Sequence, residues 1–311
     1  MAQKIQVALI AGGKSGEREV SLAGAKGVLK ALDPEKYLVR QYDPAHDLPQ
    51  LTADAATLDV AFILLHGPLG EDGAMQGLLD LLGMPYQGSG ILGSAVAMNK
   101  NLSKMLYKQA GLPVADWLMA SRDDISNPTK ISAKLHFPLV IKPVSQGSSL
   151  GMSIAHDDAA LSQGLQKAFT YDQEVMVEEF LAGREITGGV IGNKTLEALP
   201  LVEVIPGAEH PFFDYEAKYQ AGASQEICPA DFPDEITRKA QEYAIRAHQA
   251  LLLTGYSRTD MIVAADGRIA VIETNTIPGM TPTSLLPQAA QAAGYSFPQL
   301  LDQLITLALQ Q

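Results

Sequence analysis

The strongest constraint on the fold is an alternation of apolar runs and helical segments at the start of the chain. Residues 5-IQVALIAGG-13 read as a buried strand running into a glycine turn, and 17-EREVSLAGAKGVLKAL-32 as a helix that opens on acidic residues. Strands over 37-YLVRQYD-43 and 58-LDVAFILLHG-67 and a helix over 72-DGAMQGLLDLLG-83 continue the pattern. Parallel neighbours need long crossovers, so this repetition predicts a parallel sheet covered by helices, an N-terminal α/β domain over residues 1–98.

From Asn99 the pattern changes. The segment 99-NKNLSKMLYKQAG-111 reads as a helix closed by Gly111, and 112-LPVADWLMA-120 as a Pro-punctuated extended stretch. A strand 138-PLVIKPV-144, a helix near 157–169 and a strand 173-QEVMVEEFL-181 make a smaller α+β unit, 99–183. The third unit, 184–311, has strands near 184-REITGGVIG-192 and 196-LEALPLVEV-204 and a helix over 234-DEITRKAQEYAIRAHQALLL-253. It also has a hairpin of 256-YSRTDMIVAA-265 and 268-RIAVIETN-275 turning at Asp266-Gly267. The irregular stretch 205–230 is far longer than ordinary connections, and Phe212, Phe213, Tyr215 and Tyr219 within it argue for a lid that packs.

Composition narrows the function classes. A hydrophobic fraction of 47% with 19% charged residues excludes disorder, and no apolar run approaches the ~18 residues of a membrane span. The lone Cys228 excludes an internal disulfide framework and a multi-Cys metal site. With an N-terminus that lacks a signal-peptide core, it predicts a cytoplasmic protein. A net charge of −12 disfavours nucleic-acid binding, which leaves Lys100, Lys142, Lys218 and Arg258 as candidates for holding a small anion.

Two local patterns bear on that anion. In 140-VIKPVSQGSSLGMSI-154 a strand ends near Lys142 and gives way to Gly147, Ser148, Ser149 and Gly151, whose N–H groups and hydroxyls are open to an approaching phosphate; the same residues also make ordinary turns. In the hairpin, Arg258 and Asp260 on one strand and Glu273 and Asn275 on the other fall two apart, so each pair points to one sheet face. Such oxygen ligands suit a hard cation shared with a nucleotide's phosphates, the alternative being a solvated face with a cross-strand Arg–carboxylate pair.

Near the N-terminus, Ala8 to Ser15 fits a relaxed Walker A pattern and Ala11-x-Gly13-x-x-Gly16 a relaxed dinucleotide fingerprint. Neither holds: Leu9, Ile10 and Ala11 continue the strand, His66 stands where a Walker B Asp belongs, and the first glycine of the fingerprint is Ala11. The turn reads instead as a helix N-terminus that could hold an anion. Glu17 and His66 lie at the carboxyl edge of the sheet, where such folds bind ligands; His66 reads equally as a hydrogen-bonded turn residue, and Arg18 and Glu19 as surface pairs.

With these residues in place, the chain resembles D-alanine–D-alanine ligases of the ATP-grasp superfamily almost end to end. The blocks GGKSGEREVSL (12–22), LLHGPLGEDGAMQGLLDLLGMPYQGSG (64–90), MNKNLSK (98–104), IKPVSQGSSLGMS (141–153), EEFLAGREITGGVIG (178–192), FDYEAKYQAG (213–222), SRTDM (257–261) and ETNTIPGMTPTSLLP (273–287) follow the family's order. The resemblance implies an α/β, three-domain ATP-grasp fold with a Rossmann-like, parallel-sheet preATP-grasp domain at the N-terminus and ATP between the central and C-terminal domains. It implies that Lys100 and Lys142 contact the ATP phosphates under the loop carrying Ser148 and Ser149. Glu178, Phe180, Leu181 and Glu185 would hold adenine and ribose, and Asp260, Glu273 and Asn275 two Mg²⁺ or Mn²⁺ ions.

The same resemblance places the first D-alanine at Glu17 and His66, with Glu17 linked through Ser148 to Tyr219, and gives Lys218 the transferring phosphoryl group. Arg258 and the backbone of Gly279 would stabilise an oxyanion, and Ser284 and Leu285 would bind the second D-alanine. The implied product is D-alanyl-D-alanine for peptidoglycan, made through a D-alanyl phosphate by a cytoplasmic homodimer. Lys218-Tyr219 implies an amine acceptor, with D-serine as the alternative to D-alanine. Gln146 departs from the Glu of many relatives. The rivals are an ATP-grasp ligase for another carboxylate and amine, and a noncatalytic nucleotide sensor.

Overall fold

The computed structural model describes residues 3–207 and 224–311. Its first part is β1 (Ile5–Ile10), α1 (Arg18–Ala31), β2 (Tyr37–Tyr42), α2 (Leu48–Asp54), β3 (Val60–Ile63) and α3 (Ala74–Leu81). The strands pair in parallel in the order β2-β1-β3. Successive side chains of a strand point to opposite faces. Val7, Leu9 and Phe62 accordingly enter one apolar core, and Ala8, Ile10 and Ile63 the core on the other face. Burial on both faces explains why these strands read as unbroken apolar runs.

Next come α4 (Ile91–Met98) and α5 (Lys100–Gln109), divided at Asn99, whose Oδ1 accepts the Leu102 N–H at 3.0 Å and so starts α5. The central part contains β4 (Trp117–Ala120), α6 (Thr129–Ser132), β5 (Leu139–Pro143), β6 (Ser153–Ala155), α7 (Asp158–Ala168) and β7 (Val175–Glu179). Its antiparallel sheet runs β4-β7-β5-β6, with Leu139, Ile141, Val175 and Val177 packed against Leu161 and Leu165 of α7.

The last part has β8 (Arg184–Ile191), β9 (Glu197–Ala198), β10 (Val202–Pro206), β11 (Ser224–Ile227), α8 (Asp234–Ala250), β12 (Tyr256–Val263) and β13 (Ile269–Asn275). The sheet order is β11-β10-β8-β12-β13, with β9 also on β8. The single strand expected over 196–204 is two, separated at Leu199-Pro200-Leu201, because Pro200 has no N–H for a ladder. The stretch expected to be irregular over 205–230 is a strand at both ends: β10 and β11 pair from Glu203↔Ile227 to Pro206↔Ser224. The expected lid residues Phe212, Phe213, Tyr215, Lys218 and Tyr219 lie outside the described residues.

Beyond Asn275, where the sequence analysis places no element, the structure has α9 (Leu285–Ala292) and α10 (Phe297–Ala308). Ser296 and Gln299 cap α10 reciprocally. Leu300, Leu301 and Leu304 of α10 join Val7, Leu9 and Phe62 in one core. The end of the chain thus covers a face of the first sheet. Among the described residues no helix is long and apolar enough to cross a membrane.

Candidate active site

The strand order β2-β1-β3 puts a crevice at the carboxyl ends of β1 and β3, where connections leave in opposite directions. Glu17 follows β1 and His66 follows β3, and both are buried there. Asp43, after β2, fixes the turn between β1 and α1. It accepts the Gly13 N–H at 2.9 Å and pairs with Arg18 at 2.6 Å, and Arg18 also donates to the Gly13 carbonyl. Gly12 sits at φ +96°, and a Cβ there would come within 2.7 Å of the Asp43 carboxylate, so the turn requires glycine. The Arg18 pair expected on the surface is there, partly exposed, and it braces the turn that leads to Glu17.

The Ser148 hydroxyl donates to Glu17 Oε1 across 131 residues of chain. Ser148 and Ser149 both have left-handed backbones, φ 50° and 57°, a costly conformation for residues with a Cβ. A Cβ on Gly147 would lie 3.1 Å from Glu17 Oε2, so the loop's backbone presses on this carboxylate. Burial pulls the His66 imidazole below its ordinary pKa, with Arg258 acting in the same direction and Glu17 and the Ile277 backbone opposing.

Glu71, a residue the sequence reading did not single out, is buried beside them. Burial first, and the Glu17 charge second, push its carboxyl up to about 8, against the backbone N–H groups of Gly67 and Ile277 and against Arg258. The Gly67 N–H donates to Glu71 Oε2 at 2.7 Å. In the folded protein Glu71 keeps a proton that the unfolded chain releases above its ordinary value of 4.5. Folding then binds protons between these values, and stability falls as pH rises through that window, at up to about 1.4 kcal/mol per unit. Glu71→Gln, which keeps the shape without the titration, is expected to flatten this slope. Urea unfolding of both proteins from pH 4.5 to 8.5 checks it; parallel curves would contradict a protonated Glu71.

A second site lies between the four-stranded sheet and the larger one. A cleft with a cavity volume of about 140 Å³ is lined by Lys100, Lys142, Ser149, Glu178, Phe180, Leu181, Glu185, Asp260 and Glu273. Residues assigned to phosphates and to adenine and ribose thus border one space with two of the three assigned to metal, Asn275 lying outside its lining. Lys142 pairs with Glu178 Oε1. Lys100 donates to the Gln146 carbonyl at 2.7 Å and stands 3.4 Å from Glu273. Adjacent serines divide between the sites: Ser148 touches Glu17 while Ser149 lines the cleft.

The hairpin behaves as its two-residue period requires. Asp260 lies opposite Glu273, and Arg258 opposite Asn275. The register then slips, Met261 pairing with Val271, so that Ile272 forms a bulge next to the site. Arg258 grips Asp260 along its own strand with two hydrogen bonds of 2.8 Å, in place of the cross-strand pair considered as an alternative. The face is not solvated, since Asp260 is 6% exposed. The turn is wider than the expected Asp-Gly dipeptide: Gly267 donates to Ala264 and takes φ +82°.

Among the described residues no three His, Cys, Asp or Glu side chains stand together as a cage. Two facing carboxylates and an amide are what Mg²⁺ takes from a protein when nucleotide phosphates complete its shell, so the residues fit a nucleotide-dependent ion. Gly279 and Ser284 are adjacent, a Cβ on Gly279 falling 3.0 Å from Ser284 Oγ. Ser284 and Leu285 begin α9, whose free N–H groups suit a carboxylate.

Comparison with known proteins identifies the family to which this fold is similar. Profiles described as D-ala D-ala ligase C-terminus and D-ala D-ala ligase N-terminus match residues 106–306 and 40–89. A D-alanine–D-alanine ligase of Desulfotalea psychrophila is 57% identical over 310 residues, covering 99% of this chain and 96% of the relative. The crystal structure of the D-alanine–D-alanine ligase of Bacillus anthracis complexed with ATP superposes with a TM-score of 0.86 at 34% identity, covering 98% of each chain. The VanG D-Ala:D-Ser ligase of Enterococcus faecalis also superposes, with a TM-score of 0.86 at 31% identity over 98% of this chain and 100% of that one.

Proposed function

We propose, from the premise that this chain belongs to the D-alanine–D-alanine ligase family, that it joins two D-alanines with ATP through the two sites described above. The family's activity is ATP-dependent ligation for peptidoglycan synthesis, and its members use ATP with divalent metal. The observation that carries the residue-level reading is the placement of Ser148 on Glu17 and Ser149 on the cleft. One loop then borders both an amino-acid site and a nucleotide site, the juxtaposition that carboxylate activation needs.

In this reading Glu17 and His66 receive the first D-alanine, its amino group toward Glu17. Lys100 and Lys142 hold the phosphates, and Glu178, Phe180, Leu181 and Glu185 hold adenine and ribose. The substrate carboxylate attacks the γ-phosphorus, ADP departs, and a D-alanyl phosphate forms. Asp260, Glu273 and Asn275 would hold two Mg²⁺ or Mn²⁺ ions, which supply neutralisation of phosphate charge.

The second D-alanine, its carboxylate at Ser284 and Leu285, attacks the acyl carbon through its amine. Arg258 and the Gly279 N–H then face the oxyanion of the tetrahedral intermediate until phosphate leaves. An acyl phosphate is lost if water reaches it, which gives the 147–151 loop and the segment carrying Lys218 and Tyr219 a purpose as covers. A cytoplasmic homodimer joined through the N-terminal domain completes the proposal. The exposed Leu81, Ile91 and Leu92 of α3 and α4 offer apolar surface for that contact.

The assay is incubation with ATP, Mg²⁺ and D-alanine, scoring phosphate and dipeptide together. Equal amounts of both are expected, with no phosphate when D-alanine is omitted; absence of D-alanine-dependent phosphate would reject the function. Replacing D-alanine by a D-alanine and D-serine mixture decides the acceptor: dominant D-alanyl-D-serine would favour the alternative.

A further inference from the structure

Lys104 has no part in the roles assigned above, yet it is the most enclosed cation of the nucleotide region, with 1% of its side chain exposed. It lies one helical turn after Lys100 on α5, so both lysines project from one side of that helix. Lys100 reaches Glu273, and Lys104 donates to Glu178 Oε2. The other oxygen of Glu178 is taken by Lys142. Behind them stands Trp117, the register partner of Glu178, its ring centroid 5.2 Å from the Lys104 ammonium and its indole N–H donating to Asn101 Oδ1 at 2.9 Å.

One carboxylate therefore carries two ammonium partners that differ in position. Lys142 lines the cleft, while Lys104 approaches Glu178 from the protein side and is not part of the cleft wall. Burial alone would push the Glu178 carboxyl up, but the charges of Lys142 and Lys104 outweigh it and hold it at about 2. An incoming triphosphate competes with Glu178 for Lys142. If Lys142 were the only partner, its departure would strand a buried carboxylate, a penalty that would oppose nucleotide binding.

We propose that Lys104 is a positioning residue that keeps Glu178 paired and in place when Lys142 turns from it to the nucleotide phosphates. The inference rests on the assignment of Lys142 and Glu178 to the nucleotide site. Its function is to make the hand-over of Lys142 inexpensive, so its loss should weaken nucleotide binding without touching the amino-acid sites or the chemical step.

Lys104→Met keeps the length of the stem and removes the charge. The expected result is a KM for ATP raised about tenfold or more, with kcat and both D-alanine KM values within about threefold of wild type. Lys104→Arg should recover most of the ATP affinity. In a Glu178→Gln background no carboxylate can be stranded, so adding Lys104→Met should change the KM for ATP by less than about twofold. That double variant also carries the test if Lys104→Met alone does not fold. A wild-type KM for ATP in Lys104→Met, a defect confined to kcat, or a further tenfold rise in the double variant would each overturn the proposal. Glu178→Gln with an unchanged KM for ATP would instead overturn the nucleotide-site assignment on which it rests.

Discussion

Glu273→Gln is expected to lower kcat by about a thousandfold or more, a loss of several kcal/mol of charge stabilisation in phosphoryl transfer. The substitution changes almost no volume and removes one negative charge. Glu273 lies opposite Asp260 in the β12–β13 register, and it borders the cleft 3.4 Å from Lys100. With Asp260 it forms the part of the hairpin that borders the cleft, where the proposed cation would meet the triphosphate. Its side chain is 24% exposed and belongs to none of the apolar cores, so the thermal transition should stay within a few degrees of wild type. Steady-state rates at saturating ATP and D-alanine over a range of Mg²⁺, with circular dichroism melting, decide the matter. A variant that turns over at the wild-type rate would contradict the metal role proposed for Glu273.

Arg258→Met should damage both activity and stability. The guanidinium makes two 2.8 Å hydrogen bonds to Asp260, and the two side chains are only 12% and 9% exposed. Removing the cation leaves Asp260 buried without that bidentate partner, which costs about 3–5 kcal/mol of stability when a buried pair is broken from one side. Activity should fall by about 10²–10³-fold through loss of the oxyanion contact proposed for Arg258. The two effects separate in a cycle with Asp260→Asn. Neutralising the stranded carboxylate should return part of the stability and none of the activity, since Asp260 is itself a proposed metal ligand. Denaturant unfolding and kcat measured on all four proteins give both quantities. Restored activity in the double variant would contradict separate roles for the two residues.

The parts of this molecule that follow from short-range periodicity were legible in its sequence. Parallel strands buried on both faces appear as IQVALI and VAFI, and the hairpin pairs Arg258, Asp260, Glu273 and Asn275 on a two-residue repeat that the register confirms. Pairings set by tertiary packing were not legible in spacing. Ser148 meets Glu17 across 131 residues, and Lys104 meets Glu178 across 74; the family likeness named the first pair and left Lys104 unassigned. Glu71 reads as one more acid in a glycine-rich loop, and only its enclosure beside Glu17 makes it retain a proton.

Two further differences had local signals. Pro200 marks the break between β9 and β10, and Ser296 with Gln299 announces the start of α10. The long stretch after β10 hid β11, a four-residue edge strand whose SQEI has only one apolar residue, because such an edge is defined by its partner more than by its own pattern.

In the proposed mechanism the carboxyl group of the first D-alanine is activated by direct attack on the γ-phosphorus of ATP. D-Alanine labelled with ¹⁸O in its carboxylate, turned over with ATP and Mg²⁺ in ordinary water, tests it by mass analysis of the phosphate released. Acyl-phosphate chemistry carries one carboxylate oxygen into each phosphate, so labelled phosphate in step with dipeptide is the predicted result. Dipeptide formed alongside unlabelled phosphate would rule out an acyl-phosphate intermediate.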